Sequence, residues 1–366
     1  MRVDRSHWLA ACDHEFEKEI VLIDMVQRSI NASAMFGIHT KSADNVEITW
    51  GKQPMRYGFS LPVRGNLATH EGIVGIAEHG ERLGFVSATI ADHIVFPTAV
   101  GSKYPYDASG NHPSTGDAIE PLSLMAFAAG RTSTLRFITS VLILPHRNPV
   151  LAAKMIATID VLSQGRVTLG IGVGWLREEF DALGAANFDR RGAVSDEYLA
   201  IYKKLWSPGP VEHHGEFYSF GPLRCEPLPV QRPHPPIWVG GHSKVALRRT
   251  ARHANGWHPI GTVATAELRP REFAGLLDDL KRMTEAEGRD YNDITIAFVA
   301  RLHEAATAID AADRMPFSGS AAQLIDDVES YRKLGVSHLS FDFRAPTLEG
   351  TLERMDWFAR EVMPHT

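Results

Sequence analysis

From Met55 onward the hydrophobic and polar residues of the chain follow two alternating periods. Short apolar or β-branched runs fall at 56–63, 85–92, 135–144, 166–174, 236–241, 256–261, 294–302 and 338–343. Between them lie longer stretches with apolar residues at helical spacing, such as "HEGIVGIAEHGERLG", "NPVLAAKMIATIDVLSQG", "SKVALRRTARHA", "REFAGLLDDLKRMTEAEG" and "AAQLIDDVESYRKLG". Gly84, Gly165 and Gly335 close three of these stretches at the position where a helix C-terminus turns left-handed. Alternating β and α elements require a parallel sheet covered by helices. Eight such units over roughly 310 residues predict a (β/α)8 barrel of the TIM type rather than an open sheet. Three insertions, 95–117, 209–235 and 303–319, are expected in loops at the C-terminal ends of strands. Active sites of such barrels are built there.

Residues 1–54 read differently. "DHEFEKEIVLIDMVQRSI" has the pattern of an amphipathic helix, but the stretch after it has no sustained period. This segment is either an N-terminal arm that packs on a partner subunit or an extension upstream of a natural start at Met55. No function is assigned to it, and 55–366 is taken as the barrel domain.

Composition narrows the function classes. The chain has 366 residues, 44% hydrophobic and 22% charged, with a formal net charge of −6. The absence of Lys/Arg runs argues against a nucleic-acid partner, whose phosphates demand clustered cations. Cys12 and Cys225 are too far apart for a disulfide framework or a zinc ribbon. No uninterrupted apolar run spans a bilayer. The expectation is a cytoplasmic protein acting on a small molecule, without a membrane or nucleic-acid partner.

Several familiar chemistries fail on spacing. "GIGVGWL" begins like a dinucleotide fingerprint, but Trp175 occupies its third glycine position. "HEGIV" lacks the second histidine of a zinc protease, and there is no G-x-S-x-G elbow. His213 and His214 are adjacent in a hairpin-like insertion and point apart, which disfavours a shared metal. What is left gathers at strand ends. Asp92 and His93 close the second strand, Ser140 and Val141 sit in the third, and glycines cluster at the end of the fourth. Missing Cβ atoms there let a flat ligand approach the backbone. "VGGHSKVALRRTA" presents a helix N-terminus near Ser243, either a phosphate site or a turn with an ordinary N-cap. Asp92 and His93 read as a loop cap in isolation. At a barrel strand end they read as an acid/base pair in which the aspartate orients the histidine.

These stretches together resemble the luciferase-like monooxygenase superfamily over roughly 55–362, within its branch of coenzyme F420-dependent oxidoreductases. The matching segments are "YGFSLPV", "AEHGERLGFVSATIADHIV", "TSVLILPHRNPVLAAKMIATIDVLSQGRVTLGIGVGWLREEFDALG", "RRGAVSDEYLAIYKKLW", "PPIWVGGHSKVALRRTARHANGWHP" and "GSAAQLIDDVESYRKLGVSHLSFDF". The resemblance implies hydride transfer between F420, a deazaflavin, and a small organic substrate, with FMN as the alternative cofactor and a homodimer as the assembly. It makes His93 the acid/base at the reactive ring position, with Asp92 beside it. It puts a non-prolyl cis peptide at Ser140–Val141 behind the ring, Gly172, Gly174 and Trp175 at its border, and Gly240, Gly241, His242 and Ser243 around the cofactor phosphate. Trp175 stands where some members carry an acidic residue used in proton transfer, which disfavours a sugar-phosphate dehydrogenase activity. "NGW" at 255–257 replaces the more usual D-G-W. A deazaflavin moves hydride without activating dioxygen, so the protein has only to hold the ring, place the substrate and supply a proton. FMN-dependent relatives react with oxygen, and a barrel that binds a ligand without turnover is the third reading. The expected substrate is a small apolar carbonyl, alcohol or enone, with Tyr104, Tyr106, Met315 and Phe317 as pocket lining.

Overall fold

The computed structural model describes residues 54–366 except 113–115, 186, 264, 305–306, 311 and 313. Both readings of the N-terminal segment therefore lie outside the described residues. The strands are β1 (Arg56–Ser60), β2 (Ser87–Ile90), β3 (Arg136–Thr139), β4 (Leu142–Ile143), β5 (Val167–Gly172), β6 (Val211–His214), β7 (Ser219–Leu223), β8 (Ile237–Gly240), β9 (Gly256–His258), β10 (Thr295–Arg301), β11 (His303–Glu304), β12 (Ser318–Gly319) and β13 (His338–Asp342). The helices are α1 (His70–Arg82), α2 (Pro121–Arg131), α3 (Pro149–Leu162), α4 (Arg177–Leu183), α5 (Arg191–Leu205), α6 (Lys244–His253), α7 (Pro270–Ala286), α8 (Ala321–Lys333) and α9 (Leu348–Glu361).

Neighbouring strands run β3-β2-β1-β13-β10-β9-β8-β5, and β3 also pairs with β5, which closes the ring. Every pairing within that ring is parallel, as the alternation of strand and helix requires. The eight-stranded (β/α)8 barrel is thus as predicted. β2 is buried at all four positions because the helices cover one face and the barrel interior the other. Gly84, Gly165 and Gly335 each adopt positive φ just past α1, α3 and α8. At the other ends Thr69, Asn148 and Thr347 accept hydrogen bonds from first-turn amides and so cap the helix starts. Rings of Phe59, Phe85, Phe341, Phe343 and Phe358 pack edge-to-face or tilted between the barrel and its last helix. The barrel interior is more polar: His338 Nε2 lies 2.9 Å from Ser87 Oγ, and its ring meets the indole of Trp238 edge-on.

Two segments differ from the pattern reading. The run 135–144 is not one strand: it breaks after Thr139 and resumes as β4, which pairs with β5 through Leu142↔Ile171 and Ile143↔Gly172. The insertion 209–235 follows helix α5 rather than a barrel strand, so it does not belong to the strand-end loops. It opens with the antiparallel β6–β7 hairpin, whose tip amides at Glu216, Phe217 and Tyr218 bind Glu197 of α5. In that hairpin His213 is buried against Glu197 while His214 is exposed. Among the described residues no helix is long and apolar enough to cross a membrane.

Candidate active site

The break in the third strand builds one wall of a cleft. The Ser140–Val141 peptide is cis, and Ser140 N donates to Ile90 O at 2.7 Å, holding the bulge against β2. The Val141 side chain then enters a slot between the ends of β5 and β8. A Cβ on Gly172 would lie 2.4 Å from Val141 Cγ2, and one on Gly240 would lie 2.6 Å from Cγ1. The two glycines therefore make room for a valine, and the valine, not bare backbone, is the surface they help present. The cleft in front of it has a volume of about 640 Å³ and is lined by Ala91, Asp92, Tyr104, Tyr106, Ser140, Val141, Ile143 and Gly172 to Trp175.

The far side of the cleft carries two arginines together with the Asp189 carboxylate. Gly240, Gly241, Ser243, Val245, Arg191 and Arg249 line it. Ser243 is the N-cap of α6, its Oγ accepting from Ala246 N at 3.2 Å, so the helix N-terminus opens there. Gly241 holds the preceding turn at φ 81°, and its carbonyl accepts from Trp257 Nε1 at 2.8 Å. Arg249 is buried, with Nε 2.5 Å from Asp196 Oδ1 and Nη2 donating to Gly192 O. Arg191 Nε donates to Gly174 O at 3.0 Å. Two guanidinium groups held in fixed positions and a helix N-terminus therefore border this end of the cleft.

Asp92 and His93 have separate jobs. The Asp92 carboxylate is fully buried and accepts from Ile143 N at 2.8 Å and from both Arg147 terminal nitrogens at 2.7 and 2.9 Å. Burial disfavours the Arg147 charge, but Asp92 and Glu120 outweigh it and hold the guanidinium above its ordinary pKa. Asp92 thus clamps β2 to the chain just past the bulge. It does not orient His93, contrary to the sequence reading, because its oxygens are already taken. Glu179 of α4 does so: His93 Nδ1 donates to Glu179 Oε2 at 2.7 Å, while Oε1 accepts from Ile94 N at 2.7 Å and Val95 N at 3.2 Å. Burial would raise the Glu179 carboxyl, but the hydrogen bonds from His93 and the Ile94 amide hold it below the usual range. Its neighbour Glu178 accepts from Gly101 N and Ser102 N. The pair "EE" in "REEF" thus pins both ends of the first part of the 95–117 loop.

The structure brings together Asp92, Ser140, Val141, Gly172, Gly174, Trp175, Gly240, Gly241 and Ser243 on the cleft lining, but neither His93 nor His242. The His93 ring packs on Phe96 at 4.4 Å and lies 6.1 Å from Trp175, which does face the cleft. His242 is half-buried, with Nδ1 unpartnered among the described residues.

An inner chamber of about 230 Å³ continues the cleft into the barrel mouth, sharing Tyr104, Tyr106, Ser140, Val141, Gly240 and Gly241 with it. Its floor carries His258, whose Nε2 is 3.2 Å from Ser140 Oγ. Burial pushes the His258 imidazole down to about 4 and both phenols of Tyr104 and Tyr106 up. All three are therefore uncharged near pH 7. Of the pocket residues expected from sequence, Tyr104 and Tyr106 are present; Met315 and Phe317 are not. Phe317 is instead core, against Tyr331 and Phe341. The sequence reading missed Glu179, Arg147, Arg191, Arg249 and His258. Of these only "GWLREEF" carried a local signal, two carboxylates opening a helix just past a strand end. No group of three or more His, Cys, Asp or Glu residues among the described residues is placed to hold a metal ion.

The comparisons with known proteins agree with this architecture. A Streptomyces bottropensis monooxygenase superposes with a TM-score of 0.70 at 22% identity, over 85% of this chain and 99% of its own. The coenzyme F420-dependent tetrahydromethanopterin reductase of Methanopyrus kandleri does so with a TM-score of 0.66 at 16% identity, with the same coverage. An F420-dependent secondary alcohol dehydrogenase gives 0.68 at 14% identity, again over 85% and 99%. At such identities the likeness is one of fold. By sequence, an uncharacterised protein of Mycobacterium tuberculosis is 37% identical over 219 residues, 59% of this chain and 72% of its own. The FMNH2-dependent dimethylsulfone monooxygenase of Pseudomonas putida is 32% identical over 170 residues, 46% of this chain and 45% of its own. The sequence model of the luciferase-like monooxygenase family matches residues 55–340. The chain belongs to the luciferase-like monooxygenase family.

Proposed function

We propose that the chain is an F420-dependent oxidoreductase that exchanges a hydride between the deazaflavin and a small organic substrate. The observation that carries this reading is the cleft itself: an aliphatic wall at Val141, seated by Gly172 and Gly240, leading to Ser243, Arg191 and Arg249. Those residues fit a flat ring at one end and an anionic phosphate tail at the other. When bound, the deazaflavin would supply the hydride donor or acceptor. Val141 and Trp175 would hold the ring, and Gly241, Ser243, Arg191 and Arg249 the phosphate. The hydroxyls of Tyr104 and Tyr106 orient the substrate. His93 is the proton-handling residue of this reading. Its Nδ1 is committed to Glu179, which leaves Nε2 as the exchanging nitrogen. A homodimer accompanies the proposal and is tested by light scattering.

The second reading is an FMN-dependent monooxygenase, favoured by the similarity to the Pseudomonas putida enzyme. Titration of the protein with F420 and with FMN, followed by ligand fluorescence, separates the two. Saturable F420 binding with weak FMN binding is the expected result. Tight binding of FMN alone would overturn the F420 reading.

A further inference from the structure

Glu179 meets a second imidazole besides that of His93. His146 is the last residue of the short turn Leu144–His146 just past β4, and its Nδ1 lies 3.8 Å from Glu179 Oε1. Its side chain is 1% exposed and that of Glu179 0%, and neither His146 ring nitrogen has a hydrogen-bond partner among the described residues. The ring meets Phe180, the residue after Glu179, edge-on at 4.6 Å. Asp92, Arg147 and His93 are the other titratable groups that act on it. Asp92 and Arg147 are committed to each other, and His93 to Glu179 Oε2. Burial pushes the His146 imidazole down to about 4 against the pull of Glu179. Near pH 7 it therefore faces the carboxylate as a neutral dipole and not as a cation competing with His93.

A buried imidazole without a hydrogen bond costs stability that an apolar side chain of similar size would not. What the imidazole alone brings to this place is an N–H dipole. A neutral ring carries its proton on one nitrogen, and a carboxylate beside Nδ1 favours the Nδ1–H tautomer. The contact is longer than a hydrogen bond, but electrostatic attraction reaches further in a dry interior than in water. Oε1 also takes the Ile94 and Val95 amides, so the dipole adds to a set of donors that leaves Oε2 for His93.

We propose that His146 is a positioning residue for His93, acting through Glu179: as the Nδ1–H tautomer it steadies the shared carboxylate and draws part of its charge away from the His93 hydrogen bond. His146 is not in the lining of the cleft or of the inner chamber, so it acts only through that carboxylate. Its bearing on catalysis rests on the redox reading above, in which His93 handles the proton; the coupling itself does not.

The test is NMR of the full chain with 15N-labelled histidine at pH 7, the two rings being assigned with His93→Gln and His146→Leu. His146 is expected as the neutral Nδ1–H tautomer. In His146→Leu the His93 Nδ1–H proton is expected to move downfield, because more of the carboxylate charge falls on that bond. His146→Asn, whose amide nitrogen takes the place of Nδ1, is expected to return it toward the wild-type position; His146→Gln, which mimics Nε2, is not. A merely structural role would lower the urea midpoint of these variants and leave the His93 proton where it was. An unmoved proton in folded His146→Leu would overturn the proposal. So would an Nε2–H tautomer of His146 in the wild-type protein, a result that does not depend on any variant folding. Turnover is scored separately, with kcat of His146→Leu expected to fall about tenfold at a KM within a few-fold of wild type. A moved proton without turnover on either cofactor sinks the redox reading alone; turnover with the proton unmoved sinks this one alone.

Discussion

His93 Nδ1 lies 2.7 Å from Glu179 Oε2, joining the end of β2 to the first turn of α4 across 86 residues of chain. The same carboxylate receives the amides of Ile94 and Val95. Replacing Glu179 with Ala strands three donors in a site where the carboxylate is fully buried. At about 1 kcal/mol or more each, the loss should total roughly 3 kcal/mol of stability, read by urea denaturation. Glu179→Gln keeps an oxygen for the amides but can turn its NH2 toward His93, and should switch the ring to its Nε2–H tautomer. Imidazole 15N shifts report that switch, and an unchanged tautomer would count against the assigned hydrogen bond.

Val141 and Gly240 form a packing pair that a double-mutant cycle can measure. Gly240→Ala places a Cβ 2.6 Å from Val141 Cγ1, and overpacking of this kind costs about 1–3 kcal/mol. The single variant should lose stability and cofactor affinity together. Adding Val141→Ala removes the clash, so the double variant should recover stability relative to Gly240→Ala. Additive losses would show that the two residues do not touch.

Asp92→Asn separates structure from catalysis just past the end of β2. Arg147 is 10% exposed and Asp92 not at all, so neutralising the aspartate leaves a nearly buried guanidinium short of its main partner. The expected cost is about 3–5 kcal/mol, seen as a lower denaturation midpoint. A variant of native stability with a depressed kcat would instead return Asp92 to the chemistry.

Stability should fall between about pH 6.5 and pH 4. Burial pushes His146 and His258 down to about 4 and His338 well below its ordinary value. The unfolded chain takes up protons on these rings below about 6.5 while the folded protein does not. Their contribution is therefore complete above the unfolded value and is lost as pH falls toward the folded one. Each ring contributes up to about 1.4 kcal/mol per pH unit in that window. Chemical denaturation at pH 7 and pH 5 should show the loss, and His258→Asn should make the pH slope shallower. An unchanged slope would mean that His258 is protonated in the fold.

His93→Gln tests the proton role directly. The glutamine amide can still meet Glu179, so cofactor affinity should survive within a few-fold. The pH profile of kcat should lose the limb that His93 supplies. Full activity with an unchanged profile would transfer the proton step to the chamber groups Tyr104, Tyr106 or His258.

The division between what was legible in sequence and what was not follows the range of the interactions. Strand and helix periods are local, so "FVSATIAD" and "SKVALRRTARHA" announced their elements, and Gly84, Gly165 and Gly335 their ends. The break at Ser140–Val141 was expected through a family resemblance; the alternation of side chains across 135–144 does not show it. The adjacency of Asp92 and His93 suggested a partnership, yet both lie past the end of β2, where the chain turns and each meets a different neighbour. Asp92 turned to Arg147 and His93 to Glu179, partners 55 and 86 residues away. The insertion 209–235 was misplaced because composition does not say whether a loop leaves a strand or a helix.

The sequence by itself determined the alternation of elements, hence a parallel barrel, and the strand ends where chemistry could gather. Only the tertiary structure decided what meets there. Closure of β3 on β5 brings Gly172 and Gly240 to the two sides of Val141, and gathers Arg64, Arg301 and Arg344 at one mouth. Neither arrangement has a local signature, because each joins residues whose distance along the chain is unrelated to their distance in the folded barrel.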